Sequence, residues 1–334
     1  MDINEIIKEI NDSLTGDLKT DINYLQQKVQ EYKDNVEISN YISRCIYMIL
    51  PEDQKEDYAN NMFTKEEKIE VELQRAAVIL SANDKEKIDI AYNLVTNVVE
   101  QIKDEFKAGD TFKYYSFDDY MQFALYCNIF QPTKEVRRAN YKYDDIYKML
   151  GYILIEKGEY DEAIEVLRKG MSFNPVSVRI MFELGEAYKL QKDWDKFYSV
   201  SKRALEFAMS KEDISRAYRN IGFYFTEKEM YNEAIALFLL SGEFVKSDVA
   251  VNELQYIASK SGLNVSEFEM DKLNEVLEDN EIQLGVNPFI LQLAYDIGQQ
   301  ALKDGKKDIA KYYFEFIFKF NQDAHIKEIL EQLN

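Results

Sequence analysis

Between residues 144 and 177 the apolar positions fall at helical spacing twice over. Tyr147, Leu150 and Leu154 line one face of a first helix, and Ala163, Ile164 and Leu167 line one face of a second, on either side of Lys157-Gly158-Glu159. The glycine suits the end of the first helix. Asp161-Glu162 then places acid in the first turn of the second, where unpaired backbone N–H groups favour negative charge. The pattern recurs: Tyr147-x-x-Leu150-Gly151 with Ala163 and Asn174-Pro175, Leu184-Gly185-x-x-Tyr188 with Ala204, and Ile221-Gly222 with Tyr231 and Ala234. The three glycines stand 34 and 37 residues apart, a period that predicts stacked helical hairpins, here over 144–172, 178–209 and 214–241. Ile297-Gly298, Ala310 and Phe314 repeat the pattern 76 residues after Gly222. That gap holds one degenerate hairpin, with helices near 247–260 and 267–279, and residues 323–333 read as a closing helix with one polar face. Gly151, Gly185 and Ala163 are expected to be close-packing positions, where a larger side chain would force paired helices apart.

The first 140 residues are also helical by pattern but show no such recurrence. Thr64-x-x-Glu67 predicts a capping box before Ile69, Leu73, Ala76 and Ala77, and a long helix follows from about Asp84 to Phe106. Ala108-Gly109-Asp110-Thr111 breaks it. An aromatic-rich helix, Phe117 to Phe130, leads into Gln131-Pro132-Thr133-Lys134-Glu135-Val136-Arg137-Arg138, a locally basic patch in an acidic chain. The expected division is an irregular helical region over 1–140 and a repeat region over 141–334. With 12 glycines and 4 prolines, the prolines all between apolar-periodic runs, the composition suits long helices joined by short turns.

The order of Leu, Gly, a large residue, Ala, a second large residue and Pro resembles the tetratricopeptide repeat, in which small residues let paired helices approach. In that repeat's register Gly151, Gly185 and Gly222 match the small eighth position, Ala163 and Ala234 the twentieth, and Pro175 the thirty-second. Phe197 stands where the second repeat should carry Ala, which implies a wider helix pair there. The resemblance covers roughly 144–334, is strongest over 144–241, and extends to bacterial proteins that join an irregular helical region to such repeats. It implies an all-α fold, a right-handed α-α superhelix closed by a C-terminal capping helix, and a non-catalytic role in binding protein. In this family the first helix of each hairpin lines the concave face. The implied groove residues are Lys148 and Tyr152, then Arg179, Phe182, Glu183 and Glu186, then Arg216, Arg219, Asn220 and Phe223. Arginines beside aromatic rings suit an acidic protein or peptide segment with an apolar anchor; the alternative is that the rings pack internally and the arginines pair with the chain's own acids. A chaperone-tail clamp of Lys, Asn, Asn, Lys and Arg corresponds here to Lys148, Tyr152, Glu183, Arg216 and Asn220, and Glu183 would repel a terminal carboxylate. Signal-peptide receptors of Gram-positive bacteria combine a helical bundle with such repeats and hold peptide backbone with groove asparagines, for which Asn220 is the one candidate. That makes a peptide-sensing regulator the alternative to an adaptor.

Charge narrows the partners. Against 41 basic residues stand 61 acidic ones, a net of −20, so nucleic acid would be repelled. Residues 1–62 hold six basic and thirteen acidic residues, the reverse of what a DNA-recognition helix needs. Cys45 and Cys127 are isolated and read as small buried apolar groups in a reducing compartment. Met1-Asp2-Ile3-Asn4-Glu5 carries no basic or apolar leader, and no run approaches the roughly 18 apolar residues of a membrane span. A cytoplasmic protein without membrane attachment is expected. His325 is the single histidine, so His-dependent triads and multi-His metal sites are excluded, and no Gly-rich phosphate loop occurs. No catalytic residue, metal or cofactor is implied, and a carboxylate enzyme remains only as a residual alternative.

Overall fold

The computed structural model describes residues 2–82, 85–268 and 270–333. The chain divides into two units, residues 1–101 and 102–334. The first contains α1 (Ile3–Asp12), α2 (Leu18–Glu31), α3 (Val36–Ile49), α4 (Glu52–Met62), α5 (Lys65–Ser81) and, after a 3-10 turn at Lys85–Lys87, α6 (Ile88–Ile102), which reaches the boundary. Side-chain caps fix several starts: Asp17 accepts from the Thr20 N–H at 2.9 Å and Asn35 from the Ile38 N–H at 3.1 Å. At Thr64 the capping box forms as expected, the Thr64 N–H donating to Glu67 at 2.9 Å and the Glu67 N–H to the Thr64 hydroxyl at 3.3 Å. Ile6 and Ile10 of α1, Leu25 of α2, and Ile38, Ile42 and Ile46 of α3 bury one apolar stripe each into a shared core. The helix expected over 84–106 is α6; its expected first residue, Asp84, lies outside the described residues.

The second unit opens with a departure from the helical expectation. β1 (Phe112–Tyr115) pairs in parallel with β2 (Glu135–Arg138), Phe112 opposite Glu135 and Tyr115 opposite Arg138, and α7 (Tyr120–Phe130) crosses between them. Ring packing favours the strands: Phe112 and Phe106 both meet Tyr114 edge-on, and the Arg137 guanidinium lies 4.0 Å over Phe112 while bonding Glu135. The basic patch is therefore largely the second strand, with Arg137 committed inside it. The Ser116 N–H donates to the Phe173 carbonyl at 3.0 Å, tying this element to the repeats.

The repeats follow as α8 (Tyr143–Lys157) with α9 (Tyr160–Phe173), α10 (Val178–Leu190) with α11 (Trp194–Phe207), and α12 (Lys211–Glu227) with α13 (Tyr231–Phe244). Then come α14 (Asp248–Ser261), α15 (Met270–Asp279), α16 (Pro288–Lys303) with α17 (Lys307–Phe320), and α18 (Ala324–Leu333). Four hairpin turns share one feature. Gly158, Lys192, Glu229 and Gly305 have φ of 80°, 58°, 60° and 72°, each seven residues after Gly151, Gly185, Gly222 and Gly298. The left-handed turn residue thus keeps the register even where it is not glycine. From α8 onward the second unit is an all-α solenoid, in which the first helices α8, α10, α12 and α14 pack side by side.

Helix pairs differ in closeness. A Cβ at Gly151 would sit 2.4 Å from Leu167, at Gly298 3.0 Å from Phe314 and at Gly222 3.3 Å from Phe238. At Gly185 it would sit 3.6 Å from Phe197 and Val200, an ordinary contact, so the expectation of a tight site at Gly185 is corrected. Phe197, only 1% exposed where the neighbouring repeats carry Ala163 and Ala234, props this pair apart. The chain between α15 and α16 then runs back along α11 and α12: Lys202 donates to the Asn280 carbonyl, Gln283 to the Leu205 carbonyl, and the Tyr218 hydroxyl donates to the Gln283 carbonyl while accepting from the Gly285 N–H. This return places α16 against α7. The boundary expected at 140/141 falls inside the second unit, where Met121, Leu125 and Tyr126 share a core with Met181, Phe207 and Ala294. Cys45 and Cys127 are free and half-buried rather than buried.

Candidate functional site

Positions i, i+3, i+4 and i+7 return to one face of a helix, so Arg216, Arg219, Asn220 and Phe223 form a single stripe along α12. Glu186 and Lys189 of α10 flank it on one side, and Val249 and Glu253 of α14 on the other. Phe197 and Phe238, from the second helices, complete a cavity of about 330 Å³. Phe223 meets Trp194 and Phe197 at 6.1 Å between ring centres, and the Lys189 ammonium lies 5.5 Å over its face.

The cations here are unequally matched. Arg216 lies 4.4 Å over the Phe182 ring and 3.9 Å from a Glu183 carboxylate oxygen. Burial pushes the Glu183 carboxyl up, and the Arg216 charge opposes that shift. Lys189 pairs with Glu186 at 2.5 Å. Arg219 instead donates to the Ser215 hydroxyl at 2.6 Å and has no acidic partner among the described residues. Burial and the neighbouring Arg216 charge both hold its ionisation below the usual arginine value. The buried Asn220 side-chain N–H₂ finds no acceptor among the described residues. Across the cavity, burial first and Glu227 next push the Glu253 carboxyl up. One wall therefore offers the unpartnered Asn220 N–H₂, an Arg219 guanidinium bonded to a neutral hydroxyl, and an aromatic face.

The other expected groove residues stand apart from this cavity. Arg179 pairs with Asp118 at 2.6 Å and Asp145 at 3.3 Å, and Lys148 lies 3.4 Å from the same Asp145. The Tyr152 hydroxyl is pushed up by burial, then by Glu156 and Glu183. Phe182 is 2% exposed; it supports Arg216 from beneath instead of lining the surface. Sequence reasoning did not place Lys189, Phe197, Phe238, Val249 or Glu253 in the groove. Lys189 was within reach of the register, one turn beyond Glu186, but Val249 and Glu253 lie on a helix without the repeat's glycine and so gave no register to read.

Residues 151–192 match the family model described as TPR repeat, so that stretch carries the tetratricopeptide-repeat pattern. No curated protein matches the sequence. Among solved structures, the chain is similar to one from the functional characterization of Pseudomonas aeruginosa pilF, with 14% identity over 80% of this chain and 99% of that one and a TM-score of 0.42. It is similar also to a tetratricopeptide repeat protein from Parabacteroides merdae, with 12% identity over 99% and 98% of the two chains and a TM-score of 0.39. The apo form of RapI gives 12% identity over 93% and 98%, with a TM-score of 0.44.

Proposed function

We propose that this tetratricopeptide-repeat chain is a non-catalytic adaptor that binds an acidic protein or peptide segment, with an apolar anchor, between α10, α12 and α14. The unmatched donors carry the proposal. A buried amide left without a partner costs about 1–3 kcal/mol, and a main-chain carbonyl or a carboxylate entering beside Asn220 and Arg219 would remove that cost. Phe223 supplies apolar area for a neighbouring side chain. Cys45 and Cys127 are free thiols, which suits a reducing, cytoplasmic setting, and among the described residues no helix is long and apolar enough to cross a membrane.

The test is a labelled peptide in which Asp or Glu alternates with Leu or Phe, titrated by fluorescence anisotropy. Buried arginine and aromatic anchors at interfaces are worth roughly 2 kcal/mol each, so Arg219→Ala and Phe223→Ala should each weaken binding about thirtyfold with the thermal midpoint kept. Unchanged affinity in both variants would place binding elsewhere. A peptide-sensing regulator is the second reading, favoured by the unpartnered Asn220 amide, which suits peptide backbone. It requires that hydrogen exchange over residues 2–101 change when peptide fills the groove; an adaptor does not require this.

A further inference from the structure

A second cavity, of about 730 Å³, lies between α7, α16 and α17, within the range of roughly 300–1,000 Å³ usual for binding pockets. Its apolar wall comes from elements far apart in sequence: Tyr120 of α7, Ile297 and Ala301 of α16, and Ile309, Tyr312 and Tyr313 of α17. Three of these are left in solvent, Tyr120 at 60%, Ile309 at 46% and Tyr312 at 59% exposure. Single exposed apolar side chains are ordinary, but a contiguous set around a concavity marks a contact surface.

The rim decides what fits there. Asp296, Asp304 and Asp308 surround the cavity and Lys306 is the basic residue among its lining. Asp296 and Asp304 accept hydrogen bonds from Gln292 and Gln300, both at 2.9 Å, neutral donors that leave their charge in place. Lys306 lies 3.8 Å from Asp304, and Asp308 has no cationic partner among the described residues. The cavity is thus an apolar hollow with a surplus of negative charge, opposite in demand to the donor-rich groove on α12. A second copy of a chain with net charge −20 would be repelled from it.

We propose that this pocket is a second docking surface, taking a protein segment in which Lys or Arg flanks an aliphatic or aromatic side chain. The apolar side chain enters between Tyr120, Ile309 and Tyr312, and the cations lie against Asp296, Asp304 and Asp308. The probe is a short labelled peptide alternating Leu and Phe with Lys, and its counterpart with Glu at every Lys, both titrated against the full chain. The Lys peptide should bind and the Glu peptide should not. Ile309→Ser combined with Tyr312→Ser, both surface changes that leave the fold intact by thermal midpoint, should weaken the Lys peptide by roughly tenfold or more. Asp296→Asn with Asp304→Asn and Asp308→Asn should weaken it and flatten its salt dependence. Val36→Ser, a change at a side chain 72% exposed in the first unit, should leave it alone. Equal binding of both peptides, or undiminished binding in the Ile309/Tyr312 variant, overturns the assignment. So does a fall in sedimentation coefficient in that variant, which would make the pocket a self-association surface.

Discussion

Asp144, in the first turn of α8, is 1% exposed. The Asn174 side-chain N–H₂ donates to its Oδ2 at 2.9 Å and its own N–H donates to the Ser116 hydroxyl at 3.2 Å, while its Oδ1 has no partner among the described residues. Burial pushes this carboxyl up, Asn174 and Ser116 oppose, and Asp145 and Asp118 add to the rise. Below the ordinary carboxylate value both folded and unfolded chains are protonated there, and no penalty exists. Between that value and the raised folded one, the unfolded chain gives up its proton while the folded chain keeps it, so stability falls by about 1.4 kcal/mol for each pH unit crossed. Above that interval the loss is complete. Asp144→Asn keeps an acceptor for Asn174 and removes the ionisation. Denaturant titrations from the ordinary carboxylate range upward should show the variant gaining on the parent as pH rises through the interval, then holding a constant lead. A difference that does not vary with pH would mean that Asp144 ionises in the folded chain without penalty.

At the scale of helix pairs, the shared period hides unequal spacing. Gly→Ala within a helix gains about 1 kcal/mol of intrinsic propensity, whereas overpacking costs about 1–3 kcal/mol. Gly151→Ala meets fully buried Leu167 at 2.4 Å and should lower stability to denaturant. Gly185→Ala meets Phe197 and Val200 at 3.6 Å and should leave stability unchanged or raise it by up to about 1 kcal/mol. Equal losses in the two variants would show that Phe197 does not widen its pair. The hairpins were legible because the apolar stripe and small residues repeat in the chain itself, and Phe197 announced the wider pair. The strands were not legible, since Phe112–Tyr115 is four residues long, Glu135–Arg138 is mostly charged, and their pairing is between distant segments. The groove was legible as a register but not as chemistry. Whether Arg179 is available depends on Asp118, sixty-one residues away, and whether Arg219 is available depends on the acids that did not reach it.

For the whole molecule, the question is where an autonomous folding unit begins. Residues 102–140 contribute buried Tyr115, Met121, Leu125 and Tyr126 to the core that holds Val178, Met181, Phe207 and Ala294. They also contribute Gln122 to the Asn174 side-chain N–H₂, Asp118 to Arg179, and the Phe130 ring stacked near Phe207. Each large apolar side chain buried contributes roughly 1.5–3 kcal/mol, and a domain's net stability is only roughly 5–15 kcal/mol. Removing four such side chains should therefore consume much of the margin. Two fragments distinguish the boundaries: 102–334 begins at the second unit, and 141–334 begins at the repeats. The longer fragment should unfold cooperatively in denaturant. The shorter should unfold at lower denaturant or bind a hydrophobic dye before unfolding, since α16 loses the helix packed against it and Arg179 loses Asp118. If 141–334 matched 102–334 in midpoint and cooperativity, the strands and α7 would be an appendage to the solenoid, and the division at 140/141 would describe the folding units after all.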